Sequence, residues 1–156
     1  MKKEKRTPTG EALTNLMLDL FRLNSMILAD GDRLVEGLGL TSARWQTLGT
    51  IMAAERPQPV AWLAHDMGAH RQNVQRIIND LVKDGLVELA VNPRHRRASL
   101  VLLTDKGQKA FREAMVLQAS WVNRLAKGLK VEAIEATHQV INALKIKLEE
   151  SKNRSK

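Results

Sequence analysis

The sequence predicts a mainly α-helical fold that carries one small β-hairpin, and two observations predict it. Apolar residues recur at helical spacing through most of the chain, and only residues 86–104 replace that period with two short runs rich in Leu and Val. The hydrophobic fraction of 44% is ordinary for a globular protein, and 156 residues amount to a single domain, which we take as 1–156.

The chain is expected to begin with two helices. Thr9 is the expected N-cap of the first, which continues to about Ala29, and the three glycines of "DGDRLVEGLGL" indicate turns after it. Thr41 or Ser42 is expected to cap the second helix, "SARWQTLGTIMAAE". The prolines of "RPQP" end that helix, and a loop leads into a third, short helix, "VAWLAHDMG".

A fourth helix and the hairpin follow the turn that Gly68 predicts. The segment "HRQNVQRIINDLVKDG" ends at Gly85, where a C-cap glycine belongs. Its apolar side chains share one helix face and predict a continuous buried stripe: Val74, Ile77, Ile78, Leu81 and Val82. The Leu and Val runs that flank "NPRHRR" are the two strands. Thr104 then caps a long helix, and a last helix runs from about Val131 to Leu148.

This order of elements predicts a winged helix-turn-helix domain plus N- and C-terminal dimerisation helices. Two short helices joined by a glycine-containing turn and followed by a hairpin make the winged lobe, which we place at residues 41–104. The helices at 9–29 and 105–148 are too long for so small a core to cover. A second copy of the chain is the economical partner for their apolar faces.

Charge and composition restrict the classes of function. The net charge of +8 and pI of about 10.1 favour a polyanionic partner, nucleic acid before an anionic membrane. Residues 1–6 and 145–156 each carry a net charge of +3 and so hold much of the excess, which leaves open the interpretation that the charge serves only solubility. The chain has no cysteine, no apolar stretch of 18 residues and no secretory signal, which suits a cytoplasmic protein.

The polar face of the fourth helix is unusual for a merely solvated helix, on which Glu and Lys pairs are typical. Its first two turns hold amides and guanidinium groups and no carboxylate, whereas Asp80 and Asp84 come late. Gln and Asn pair with adenine, Arg pairs with guanine, and a helix N-terminus attracts phosphate. The pattern therefore favours reading of DNA bases over a plain polar surface.

The hairpin tip carries three arginines, Arg94, Arg96 and Arg97. In a winged helix the tip lies beside the recognition helix and reaches the adjacent minor groove, whose negative potential attracts arginine. The alternative is that these charges only protect an exposed hairpin edge, but lysine would do that equally well and the tip has none. We therefore favour the DNA-binding interpretation.

The ordered phrases "LTSARWQTLGTI", "LAHDMGAHRQNVQRIINDLVKDGLVE" and "NPRHRRASLVLLTDKG" resemble the MarR family of bacterial transcriptional regulators. The resemblance covers nearly the whole chain. It implies a homodimer with interlaced terminal helices, two winged lobes on a pseudo-palindromic operator, and a pocket for a small-molecule effector, with Trp45 and Met52 as candidate lining residues. It assigns the recognition helix to Arg71, Gln72, Asn73, Gln75 and Arg76, and the minor-groove contact to Arg97.

Two positions depart from the family's pattern. The family's wing usually has an aspartate two residues before its arginine, whereas this sequence has His95. We therefore expect either that Arg97 is looser, so that this wing grips DNA less rigidly, or that Arg96 takes its place. His70 stands where a hydroxyl residue often caps the recognition helix. Its imidazole offers either a cap for the helix or a contact with phosphate, and both interpretations stay open.

Other classes of site find little support. His65, Asp66 and His70 straddle a predicted turn, so no metal site is expected, and neither a nucleophile constellation nor a glycine-rich phosphate loop appears. We therefore expect no cofactor and no enzymatic activity. Trp45, Trp62 and Trp121 are interpreted mainly as core.

The main hypothesis is a sequence-specific, ligand-responsive repressor that binds double-stranded DNA as a homodimer. The alternatives are a winged-helix module that binds a protein and a non-specific nucleic-acid-binding protein.

Overall fold

Six helices and three short strands follow one another in a computed structural model that describes residues 5–154, except for the side chains of residues 152 and 153. The helices are α1 (Pro8–Val35), α2 (Ser42–Ala53), α3 (Val60–Asp66), α4 (Arg71–Lys83), α5 (Asp105–Ala126) and α6 (Val131–Arg154). The strands are β1 (Gln58–Pro59), β2 (Val87–Ala90) and β3 (Leu100–Leu103). The predicted fold, mainly helical with a small hairpin, is confirmed. Charges assigned to Lys2, Lys3 and Lys156 lie outside the described residues.

Helix α1 begins and ends at other residues than those predicted. Its N-cap is Thr7, whose Oγ1 accepts a hydrogen bond from the Gly10 amide at 3.0 Å, because Pro8 suits the first helical position better than Thr9. The predicted end at Ala29 is also wrong, because Gly31 lies buried within the helix. A Cβ on Gly31 would approach Ser42 Oγ to 2.5 Å, so this glycine permits the close contact of α1 with α2 and does not break the helix.

Ser42 fastens α2 to α1. Its hydroxyl donates to the Leu28 carbonyl at 2.7 Å, and its amide donates to Asp32 Oδ1 at 2.6 Å. Thr41 is the N-cap of α2, and its Oγ1 accepts from the Arg44 amide. A single turn of 3-10 helix, Glu36–Leu38, joins the two helices. The segment predicted to be turns is thus mostly a continuation of α1 followed by one tight turn.

The hairpin is part of a three-stranded antiparallel sheet in the order β1-β3-β2. In the predicted hairpin Val87 pairs with Leu103 and Ala90 with Leu100. The predicted loop between α2 and α3 contributes β1, which pairs Gln58 with Val101. Its two residues include a proline, which confines it to the edge of the sheet and leaves no alternating pattern from which to predict a strand.

The core of residues up to Gln118 lies among α2, α3, α4 and the sheet, and the end of α1 and the first turns of α5 also contribute to it. Val74, Ile78 and Leu81 of the predicted stripe on α4 are fully buried, whereas Val82 is 37% exposed. At 100° per residue Val82 lies at the margin of the apolar face, which explains its exposure. Trp62 is 60% exposed, and its interpretation as core is wrong, because Val60, Leu63 and Ala64 form the buried face of α3 and Trp62 points away from it.

Helix α5 starts as predicted and also fixes the base of the hairpin. Thr104 Oγ1 accepts from the Gly107 amide at 3.0 Å and donates to the Gly85 carbonyl at 2.7 Å. Gly107 packs against the Leu86 carbonyl with no room for a Cβ. Residues from Ala119 onward form a second compact unit that contains the end of α5 and α6, and α6 extends beyond the predicted end at Leu148. No helix within residues 5–154 has the length and apolar character needed to cross a membrane.

Candidate nucleic-acid interface

Helix α4 is held firmly by its apolar face, which directs the opposite face to solvent. The turn before it is tight: Gly68 has a φ of 60°, and the Ala69 amide donates to the Ala64 carbonyl at 2.9 Å. A residue with a Cβ is strained at that φ, so the glycine matches the conformation that joins α3 to α4. The buried side chains of both helices then fix the direction in which α4 presents its polar residues.

The predicted base-reading residues come together on this one helix. Arg71, Gln72, Asn73 and Arg76 are exposed, and Gln75 is half-buried. The first turn contains no acidic residue, and within residues 5–154 no carboxylate forms an ion pair with either arginine. These guanidinium groups are therefore available to an external acceptor such as a base edge or a phosphate.

The N-terminus of α4 has no side-chain cap. His70 occupies the N-cap position with extended backbone angles, but its side chain makes no capping hydrogen bond. Its carbonyl accepts from the amides of Asn73 and Val74 at 3.0 and 3.2 Å. No capping side chain therefore occupies the N–H groups at the start of α4. These N–H groups add the positive end of the helix dipole to the cationic surface.

Two amide side chains on the polar face are hydrogen-bonded to each other, a contact that the sequence pattern does not predict. Gln75 Nε2 donates to Asn79 Oδ1 at 3.0 Å, one helical turn along. This bond leaves Gln75 with one free N–H and a free carbonyl oxygen on the same planar group. A donor and an acceptor side by side match the N7 and N6 of adenine.

The C-terminal end of α4 is fastened to neighbouring elements. Asp84 forms an ion pair with Arg44, whose side chain is only 19% exposed, and the Asp84 carbonyl accepts from Lys106 Nζ at 2.8 Å. Gly85 follows with a φ of 71°, as predicted for a C-cap glycine. Asp84 therefore neutralises a cation within the fold and adds little negative charge to the exposed face.

The wing loop presents its cations outward. Arg94, Arg96 and Arg97 are exposed, and no acidic residue among residues 5–154 pairs with them. Asn92, in contrast, is only 8% exposed and bonds to both ends of the loop. The Asn-Pro pair marks a turn in the sequence, but the burial of this amide is not visible there. His95 is exposed, and the looser grip expected from it stays a prediction.

Two clefts are described within residues 5–154, and neither is lined by both candidate effector residues, Trp45 and Met52. Trp45 is half-buried and packs beside Gly31, whereas Met52 is exposed and borders a cleft of about 210 Å³ with Ile51, Pro57 and β3. A larger cleft of about 780 Å³ lies between α2 and the end of α3 and is lined by Gln46, Thr50, Arg56, Gln58 and Asp66, among others. The assignment of Trp45 and Met52 to an effector pocket stays a prediction.

The histidines do not gather with other ligand-type side chains. His65 lies next to Asp66, with Nδ1 3.4 Å from Oδ1, and the part of the chain that the structure describes contains no group of three His, Asp or Glu that could hold a metal ion.

Comparison with known proteins places these features in a family context. A family model described as the MarR family matches residues 38–98. The chain is 34% identical over 140 residues to the Mycobacterium tuberculosis protein named "Uncharacterized protein Rv2011c". The aligned region covers 89% of this chain and 96% of the mycobacterial protein. It is 33% identical over 103 residues to the transcriptional activatory protein BadR of Rhodopseudomonas palustris, covering 65% and 59%. It is 25% identical over 130 residues to the transcriptional repressor MprA of Escherichia coli, covering 82% and 73%.

Solved structures show the same fold. A MarR-family regulator from Rhodococcus sp. RHA1 is similar with a TM-score of 0.75 at 16% identity, covering 90% of this chain and 96% of that one. CouR bound to a 23-mer DNA duplex is similar with a TM-score of 0.75 at 24% identity, covering 90% and 99%. CouR from Rhodococcus jostii RHA1, bound to p-coumaroyl-CoA, is similar with a TM-score of 0.73 at 18% identity, covering 83% of this chain and 90% of CouR.

Proposed function

The chain belongs to the MarR family of winged-helix transcription regulators, and we propose that it is a ligand-responsive repressor that binds a pseudo-palindromic operator as a homodimer. The observation that carries the proposal is the face of α4, whose first two turns present Arg, Gln and Asn without a carboxylate. Because the proposed partner is bacterial DNA, which lies in the cytoplasm, we expect the protein to act there.

The proposed contacts divide into two kinds. Arg71, Gln72, Asn73, Gln75 and Arg76 enter the major groove, where amides and guanidinium groups discriminate between bases. Arg94, Arg96 and Arg97 contact the neighbouring minor groove and the backbone, where potential and groove width matter more than base identity. The first kind gives specificity, and the second gives affinity that falls with salt.

Apolar surfaces on the long helices support the homodimer. On α1, Phe21 and Met26 are each 67% exposed, although the helix packs its far end against the core. On α6, Ile146 and Leu148 are more than half exposed. Residues of this kind on long helices are typical of surfaces covered by a second copy of the chain.

Repression and ligand response rest on the relatives. MprA, named a transcriptional repressor, aligns with 82% of this chain, whereas BadR, named a transcriptional activatory protein, aligns with 65%. The structure of CouR with p-coumaroyl-CoA shows that a protein of this fold binds a small organic molecule. We extend this property to the present chain, with Trp45 and Met52 as candidate contacts.

Selection of bound fragments from random duplex DNA tests the proposal. We expect enrichment of a two-fold symmetric motif whose half-sites are separated by about one helical turn, roughly 34–36 Å. Equal binding to selected and random duplexes at the same salt concentration would indicate a non-specific nucleic-acid-binding protein. Absence of DNA binding at all would favour a protein-interaction module. A reporter placed behind the selected motif then distinguishes repression from activation.

A further inference from the structure

We propose that Asn92 is the positioning residue of the wing: its side chain closes the loop at residues 92–98 and holds the backbone that presents Arg94, Arg96 and Arg97 to DNA. This inference rests on the proposed function, because it concerns how the wing meets the minor groove. It assigns a task to the one buried polar side chain of the loop, which touches no DNA itself.

The hydrogen bonds of Asn92 join the beginning of the loop to its end. Its Nδ2 donates to the Ala98 carbonyl at 3.0 Å, six residues along the chain, and its Oδ1 accepts from the Arg94 amide at 3.0 Å. Two backbone hydrogen bonds form turns within the same loop. The His95 amide donates to the Asn92 carbonyl at 3.2 Å, and the Ala98 amide donates to the His95 carbonyl at 2.9 Å. One amide group thus fixes both ends of the segment that carries all three arginines.

The chemistry of this position requires an amide. The side chain must donate at one atom and accept at the other, and among side chains of this length only Asn offers both on one planar group. An aspartate would accept from the Arg94 amide but would not donate to the Ala98 carbonyl. Its charge would also attract the neighbouring arginines, whereas the neutral amide leaves their charges available to phosphate.

Within residues 5–154, no other side chain of this loop makes a hydrogen bond or an ion pair. His95 makes no side-chain hydrogen bond or ion pair within residues 5–154, and none of the three arginines is paired there. If loss of the two Asn92 bonds lowers the population of the DNA-competent loop to about one tenth, the apparent operator affinity falls about tenfold for each wing that binds, which is roughly a hundredfold for a dimer on the full operator.

The experiment combines amide hydrogen exchange with a double-mutant cycle on operator binding. In Asn92→Ala, we expect faster exchange of the Arg94 amide, unchanged exchange of the strand amides, and operator affinity about tenfold weaker for each wing, roughly a hundredfold for a dimer on the full operator. Adding Asn92→Ala to Arg97→Ala should weaken binding less than it does in the wild-type background, because the contribution of Arg97 to the wing contact is already lost. The control is Ser99→Ala, at an exposed residue that directly follows the loop, which should change neither readout.

Asn92→Ser provides a second variant in case the alanine variant is poorly folded. A serine hydroxyl can accept from the Arg94 amide but does not reach the Ala98 carbonyl, so exchange of the Arg94 amide should stay slow while affinity falls part of the way. The inference is overturned if Asn92→Ala leaves affinity unchanged, weakens it without faster exchange at Arg94, or weakens it equally with and without Arg97. If the wild-type protein selects no DNA motif, the proposed function fails and this inference fails with it.

Discussion

In the proposed complex with DNA, the hydrogen bond from Gln75 to Asn79 fixes how α4 presents the Gln75 amide to a base. A free glutamine side chain rotates about three bonds and loses that freedom when it binds a base. Here Nε2 is already held at 3.0 Å from Asn79 Oδ1, and Gln75 is half-buried. The remaining N–H and the carbonyl oxygen are therefore oriented before DNA arrives, which lowers the entropic cost of pairing with adenine.

We expect Asn79→Ala to relax the preference for adenine at one position of each half-site. A bidentate amide contact discriminates by about 1–3 kcal/mol, and loss of its orientation should remove part of that range. The measurement compares affinities for the selected operator and for operators with A·T replaced by G·C at each position in turn. The control is Lys83→Ala on the same helix face, which lacks this contact. Unchanged discrimination at every position in Asn79→Ala would contradict the assigned role.

At the scale of whole elements, the close contact of α1 with α2 depends on one missing side chain. Gly31 leaves Ser42 free to bond to the Leu28 carbonyl and to Asp32, so the two helices are fastened at the point where they approach most closely. This contact fixes α2, and through α2 the core on which α4 is seated.

Gly31→Ala should lower the free energy of unfolding by about 1–2 kcal/mol, because crowding against Ser42 Oγ outweighs the better helix propensity of alanine. Urea denaturation measures the change. Gly37→Ala is the matched control, since no atom lies within 4 Å of a Cβ there. In a Ser42→Ala background the cost of Gly31→Ala should largely disappear. An equal cost in both backgrounds would show that the contact with Ser42 Oγ is not its cause.

Gly31, Trp62 and Asn92 show where sequence patterns stop being informative. The helical period and the turn residues predict α2 to α5 and the hairpin closely, because they reflect local geometry. A glycine in a helix that packs closely on another helix looks the same in sequence as one that ends a helix. A tryptophan at helical spacing is ambiguous on a helix as short as α3. The side-chain bonds of Asn92 and Gln75 depend on rotamers and burial, which the sequence pattern does not specify.

At the scale of the whole molecule, each apolar residue in the interface of the proposed two-fold dimer is present twice, so its contribution to the free energy of association is doubled. We expect Phe21→Lys to convert the protein to a monomer at micromolar concentration, because burying Phe contributes about 1.5–3 kcal/mol per copy and a two-fold interface contains two copies. Sedimentation velocity gives the oligomeric state. Trp62→Lys is the matched control, an aromatic residue of α3 that is 60% exposed, compared with 67% for Phe21. Dissociation by the control and not by Phe21→Lys would place the interface elsewhere.

Two-fold symmetry also predicts the salt dependence of binding. Each phosphate neutralised by a cation contributes about 0.9 to the slope of log affinity against log salt concentration. Arg97 is exposed and unpaired within residues 5–154, so in the proposed dimer its charge is available to DNA in both protomers. We therefore expect Arg97→Ala to shallow the slope by about 2 units when a dimer binds the full operator, and by about 1 unit when one protomer binds a half-site.

Titration of operator and isolated half-site at several salt concentrations measures both slopes. Arg33→Ala is the control, because Arg33 lies on α1, pairs with Asp30 at 2.7 Å and should leave both slopes unchanged. A change of about 1 unit on the full operator would mean that only one wing engages DNA. No change on either substrate would remove Arg97 from the interface, and the recognition helix would then have to supply the electrostatic part of binding. A twofold ratio between the two changes is therefore the signature that links one wing arginine to a symmetric complex.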